Sequence, residues 1–245
     1  MTGHRRGHGI VGQLAGTHSG SAQTDVLEEL RRVILAGTAA PGSGIPVGEV
    51  ARVFGVSPIP VREALKTLIG EGLVTHRVNS GYFVSDLTIN ELREIYFVRG
   101  ILEQAALSQA VSAVTDADIA AARREHQALQ EATITDDRVA YHHHSRMFHT
   151  ALVTPCAMPR LLTMFDSTWN ITEPFQVMRT VTTAMQLQLH ADHEKMIAAM
   201  AERDAAALVA AARRHHERLE SVVIGAGTDN RRGDDRHGER STEHE

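Results

Sequence analysis

One cysteine, Cys156, stands in 245 residues. A single thiol excludes an internal disulfide framework and a structural zinc held by clustered cysteines, and it suits a reducing, cytoplasmic setting. Aromatic residues make up only 4% of the chain, too few for a protein that stacks single-stranded bases. No run of about 18 apolar residues occurs, so no membrane-spanning helix is expected. The opening "MTGHRRGHGIVGQLAG" is basic but has no apolar stretch long enough for a secretory signal. A positive balance is missing too. The formal net charge is −5, and residues 22–86 carry six Lys/Arg against seven Asp/Glu. Any contact with nucleic acid must therefore rest on local charge.

Hydrophobic residues are plentiful, at 42%, enough for one large or two modest cores. Histidines are plentiful as well: 15 of them are the main source of soft metal ligands. Residues 1–22 are rich in Gly, Ser and His without periodicity and read as a flexible arm, made mildly basic by Arg5 and Arg6. Residues 225–245, "GAGTDNRRGDDRHGERSTEHE", are equally unpatterned and read as a disordered tail. Between them lie two regions, 23–86 and 87–224.

In the first region, helical segments are expected near 23–36, 47–54 and 58–71. Gly55 supplies the backbone freedom for the corner between the second and third. "LVTHRVNSGYFVS" gives two short β-prone runs around Asn79-Ser80-Gly81, a hairpin. Three helices and a hairpin make the plan of a winged helix-turn-helix. In "GVSPIPVREALKTLIGEGLV", Ser57 is a natural N-cap and Pro58 suits the first helical position, while Ile59, preceding Pro60, is pushed away from helical geometry. Val61, Ala64, Leu65 and Leu68 form a buried stripe. Arg62 and Lys66, spaced i and i+4, share the opposite face with Ile59 and Glu63. Such a helix can lie in a major groove, or its cations can simply be solvated.

The second region reads as helices near 88–112, 115–131, 136–155, 157–173, 178–201 and 203–223, an antiparallel α-helical bundle. Thr88 and Glu91 form a capping box at its start. Leu92, Ile95, Arg99, Leu102 and Ala106 fall on one seam, so Arg99 lies on an apolar stripe. A buried guanidinium needs an anion. Two readings stay open: an internal salt bridge, for instance with Glu103, or an anchor for an effector carboxylate.

"AYHHHSRMFHTAL" is the most conspicuous stretch, with His142, His143, His144 and His149 inside ten positions. The seam test singles out His149, beside Phe148. It also selects His193, on the line Leu189, His193, Met196, Met200, and His215, on the line Leu208, Ala212, His215, Leu219, Val222. Three histidines from three helices pointing into one bundle read as a metal site, or as a polar pocket without metal. His142, His143, His144, His190 and His216 lie wholly or partly off these seams and read as solvated or supporting groups.

"PGSGIPVGEVARVFGVSPIPVREALKTLIGEGLVTHRVNSGYFV" resembles the DNA-binding domain of GntR-family transcriptional regulators, over about 60 residues. "LREIYFVRGILEQAA" continues the resemblance into the all-helical effector (FCD) domain of the FadR-type subgroup. The resemblance implies a homodimer on a pseudo-palindromic operator in double-stranded DNA, a small organic acid effector, action as a repressor and no enzymatic activity. It implies DNA contacts from Arg62, Lys66, Ser80 and Gly81, and Ser57 and Ile59 at the start of the same helix are candidate contacts beside them. A divalent metal, zinc or nickel, would sit on His149, His193 and His215, with Arg99 and Ser145 facing the effector. Three departures stand out. The arginine-threonine pair usual after the first serine is Pro58-Ile59 here, and the aspartate expected one turn before His149 is Ser145. An asparagine expected soon after is also missing, near Met158. These losses leave room for a degenerate effector pocket, and the histidines alone would also permit a metalloenzyme.

Overall fold

The structure is a computed structural model; it describes residues 9–16, 20–175 and 181–238, with side chains up to Ser221. The chain divides into two compact units, residues 1–87 with 169–176, and residues 88–168 with 177–245. The protein is mainly α. Among the described residues no helix is long and apolar enough to cross a membrane.

The first unit is built from α1 (Ala22–Leu35), β1 (Gly44–Ile45), α2 (Val47–Phe54), α3 (Pro58–Gly70), β2 (Val74–Arg77) and β3 (Gly81–Val84). Its core is aliphatic: Val26, Leu30, Val33 and Ile34 of α1 meet Val61, Ala64, Leu65 and Leu68 of α3, all fully buried. A bidentate pair reinforces that packing, Arg31 Nε and Nη2 donating to the two carboxylate oxygens of Glu71 just after α3. Gly55 ends α2 in the left-handed conformation, φ 62°, as the corner requires.

The sheet has order β1-β3-β2 and is antiparallel throughout, with Arg77 opposite Gly81 at the hairpin tip and Gly44 opposite Phe83 on the other side. Asn79 (φ 62°) and Gly81 (φ 101°) make the reversal possible. The sequence gives no signal for β1, because a two-residue strand has no period to read.

Three expectations for this unit need correction. Residues 9–16 are not a free arm: Ile10–Gln13 forms a 3-10 turn, Ile10 is buried in the core, and Val11 and Leu14 pack against it. Apolar residues at i, i+1 and i+4 gave that segment a face to bury. Arg5 and Arg6 lie outside the described residues. Ser57 holds the N-cap position of α3, yet its side chain makes no cap bond. The third helical residue is Pro60, which has no N–H to offer it. Ile59, finally, stays within the helix, since first-turn residues have no intrahelical N–H bond to lose.

The second unit contains α4 (Ile89–Ala113), α5 (Asp116–Ile134), α6 (Arg138–Val153), α8 (Thr183–Ala201) and α9 (Ala205–Gly238); α7 (Pro159–Thr172) begins in it. The capping box forms as expected: Thr88 Oγ1 accepts from Glu91 N–H, and the Glu91 carboxylate accepts from Thr88 N–H. Thr115 and Asp118 repeat the device at α5. The α4 stripe differs from the expected one by a residue. Leu92, Tyr96, Arg99, Glu103, Ala106 and Ala110 are buried, whereas Ile95 and Leu102 are only partly so. The tail expectation is also corrected, for α9 runs unbroken to Gly238. No proline interrupts 205–238, and a helix once nucleated propagates at one hydrogen bond per residue. Residues 239–245, and 178–180 before α8, lie outside the described residues.

Candidate metal centre and nucleic-acid interface

In the first unit, Arg62 of α3 and Asn79, Ser80 and Gly81 of the hairpin tip line one groove of about 870 Å³. The buried stripe of α3 forces the opposite face outward: Ser57 is exposed, Ile59 is 70% exposed, and Arg62 and Lys66 reach solvent. Lys66 Nζ sits 2.8 Å from Glu63 Oε1, which raises its pKa above the ordinary lysine value. Arg77, on the wing strand β2, lies over the Phe83 ring at 4.5 Å. Of the residues expected to meet DNA, the structure brings Arg62, Ser80 and Gly81 to one groove. Lys66 lies further along α3 and does not line it.

In the second unit, His149 of α6, His193 of α8 and His215 of α9 are each 1% exposed and offer ligand nitrogens within 4.8 Å of one another. Ring centroids are 5.4 Å apart for His149–His193, 4.9 Å for His149–His215 and 4.6 Å for His193–His215. Phe148 stacks on His193 at 4.1 Å and 30°, which fixes that ring's plane. The inward seams place all three as read from the sequence.

The carboxylate missing at Ser145 has a counterpart on another helix. Glu103 of α4, 1% exposed, accepts a hydrogen bond from His149 Nδ1 at 2.6 Å and another from His216 Nε2. Because Nδ1 donates to Glu103, Nε2 is the His149 nitrogen left to face a metal. Burial works to raise the Glu103 pKa, but His149 and then His216 outweigh it and hold the carboxyl well below its ordinary range. The partners of Glu103 are thus His149 and His216 rather than Arg99, the partner expected from the seam. Arg99 is 1% exposed and stacks on Tyr96 at 4.0 Å. Its charge also reaches His215, adding to the depression of that pKa. Ser145 is buried one turn before His149, and Met158 is 43% exposed.

The cluster fits a metal. Both ring nitrogens of His193 and of His215 are buried without a hydrogen-bond partner among the described residues. Each such group left unsatisfied costs about 1–3 kcal/mol. Burial, followed by the charges of neighbouring histidines, holds both pKa values well below 6.5, so both rings are neutral near pH 7 with lone pairs available. With His149, these rings give three imidazoles from three helices, a donor set that suits zinc or nickel.

Sequence reasoning missed part of the cluster. His126 of α5 is buried, with its ring 5.5 Å from that of His193. It lies on the stripe Ala122, His126, Leu129, which the same seam test would have found. His190 and His142 are buried as well, so neither is solvated. Helix α8 buries more than one face, and a single seam undercounts such a helix. His143 is exposed, and His144 pairs with Glu125 at 2.8 Å.

Comparison with known proteins agrees with both units. The pattern of bacterial regulatory proteins of the gntR family matches residues 22–84, and that of the FCD domain matches residues 94–218. The chain is 30% identical over 104 residues to YdhC, an HTH-type transcriptional regulator of Bacillus subtilis, a match spanning 42% of this chain and about half (46%) of that protein. It is 29% identical over 199 residues to the Nta operon transcriptional regulator of Aminobacter aminovorans, covering 77% of this chain and 90% of the relative. A crystal structure of a GntR transcriptional regulator from Rhodococcus sp. RHA1 superposes with a TM-score of 0.73 at 25% identity, over 84% of this chain and 99% of that one. With its two regions matched in this order, the chain belongs to the GntR family of transcriptional regulators, as a member carrying an FCD domain.

Proposed function

We propose that this protein is a repressor that binds a pseudo-palindromic operator as a homodimer and responds to a small organic acid held in its helical unit beside a divalent metal, zinc or nickel. The observation that carries the reading is the meeting of His149, His193 and His215 within 4.8 Å, close enough to Arg99 for its charge to act on His215. A bound ion would supply an electrophilic point for one carboxylate oxygen of the acid. The chain's own residues do the rest. Glu103 orients His149, Phe148 fixes His193, Arg99 offers a planar fork for a second carboxylate, and Ser145 offers a neutral hydroxyl where a charged ligand was expected.

On the DNA side, Ser57, Ile59, Arg62 and Lys66 would enter the major groove at the start of α3, and Ser80-Gly81 would reach the adjacent minor groove. Support for the homodimer comes from α4, where Phe97, Val98 and Ile101 leave an apolar stripe exposed. Binding of the acid would favour one arrangement of the two reading heads over another and so change DNA affinity.

The test is a salt-titrated binding assay on DNA from upstream of the protein's own gene, with a panel of small di- and tricarboxylic acids added in the presence of Zn²⁺. A specific complex is expected, its affinity falling on a log–log line with salt and falling further with one of the acids. No specific complex at low salt would overturn the reading.

A further inference from the structure

Five buried histidine nitrogens, two of them on His193 itself, define a second triad. His126 of α5 and His190 of α8 are 6% and 5% exposed, and with His193 they offer ligand nitrogens within 4.8 Å of one another. Both nitrogens of His126, Nδ1 of His190 and both nitrogens of His193 are buried without a hydrogen bond among the described residues. The Thr133 hydroxyl reaches both Leu129 C=O, at 3.1 Å, and His190 Nε2, at 3.0 Å. Donating to the carbonyl, it accepts from Nε2. The proton then sits on Nε2, and the lone pair of His190 is on the unbonded Nδ1. A hydroxyl that orients an imidazole in this way is what a ligating histidine requires behind it.

The triad also has an entrance. A surface cleft of about 530 Å³ is lined by Arg123, His126, Gln127 and Glu194. Glu194 Oε1 stands 3.8 Å from His126 Nε2 on a side chain that is 64% exposed and so can swing. We infer that His126, His190 and His193 form a second binding position for a divalent transition-metal ion, with Glu194 as the carboxylate at its open side. A neutral imidazole has one lone pair, so His193 serves one ion at a time. The two positions therefore alternate: an ion from solvent meets the outer triad at the cleft, and the inner triad of His149, His193 and His215 competes for it. The outer position's donors His126 and His190 are independent of the inner reading; only His193 is shared.

Cobalt(II) titration of untagged, full-length protein separates the two, read by visible absorption and by bound metal per chain. His215→Ala disables the inner triad and His126→Ala the outer one. The expected result is that H215A still binds one Co²⁺ per chain with a four-coordinate visible spectrum, and that adding H126A or H190A weakens this binding at least about tenfold. The inference is overturned if H215A binds no Co²⁺, or if adding H126A leaves its affinity unchanged. Should H215A fail to fold by circular dichroism, His215→Phe keeps the volume filled while removing the ligand, with the same outcomes. If H126A binds no Co²⁺ while H215A does, the outer site stands and the inner reading alone fails.

Discussion

The Glu103 carboxylate and His149 Nδ1 meet at 2.6 Å, both residues 1% exposed, 46 positions apart in sequence and on different helices. The pair supplies buried negative charge to a cluster whose expected aspartate position is Ser145. Because Glu103 also takes His216, its removal loosens two rings at once. Glu103→Gln keeps the shape and a hydrogen-bonding group but loses the charge. It should weaken zinc binding about 10–100-fold, measured by competition with a chromophoric chelator. An unchanged affinity would reduce Glu103 to a purely structural residue.

For the nucleic-acid face, Arg62→Ala and Lys66→Ala should each lower the slope of log affinity against log salt by about one if they neutralise a phosphate. Lys66 already faces Glu63, so Glu63→Gln should strengthen binding to any DNA by freeing that ammonium. Slopes unmoved by both substitutions would place the DNA on another surface.

Acid should destabilise the metal-free protein. Burial lowers the pKa of His190 to about 4 and those of His193 and His215 well below 6.5. In the unfolded chain these groups titrate near 6.5. A folded pKa below the unfolded one means that the unfolded state takes up protons first as pH falls. Their contribution is therefore complete above about pH 6.5 and declines toward about pH 4. Glu103, also depressed, acts in the same direction at lower pH. Melting of chelator-treated protein between pH 8 and 5 at fixed ionic strength should show Tm falling below about pH 6.5, and a flat Tm would contradict the neutral burial of these rings.

The exposed stripe of α4 makes a further prediction. Phe97 is 62% and Ile101 53% exposed, positions that favour glutamate in a monomer and penalise it in an apolar interface. Ile101→Glu should turn a dimer into a monomer in sedimentation velocity and abolish cooperative operator binding. A variant that remains dimeric would move the interface elsewhere.

Much of this architecture was legible in the chain because it depends on periodicity and caps. Val61, Ala64, Leu65 and Leu68 name the buried face of α3, and Thr88 with Glu91 marks the start of α4. The inward seams also picked His149, His193 and His215. What escaped depended on contacts between distant helices. Glu103 could not be assigned to His149 from spacing, since nothing local links residues 46 apart. His126 was legible and overlooked, whereas His190 sits on a helix buried on more than one face, where a single apolar line says little. Ile10 escaped because the glycines around it masked a short apolar face. The helix beyond residue 225 escaped because composition describes hydrophobic patterning and not the propagation of an existing helix.

Metal analysis of untagged protein, purified without a metal column, beside His193→Ala, tests the account most directly, because His193 belongs to both triads. The account predicts about one zinc or nickel ion per chain in the native protein and none in H193A at matched folding. Native protein without metal after incubation with Zn²⁺, or an H193A variant with the same content, would contradict it.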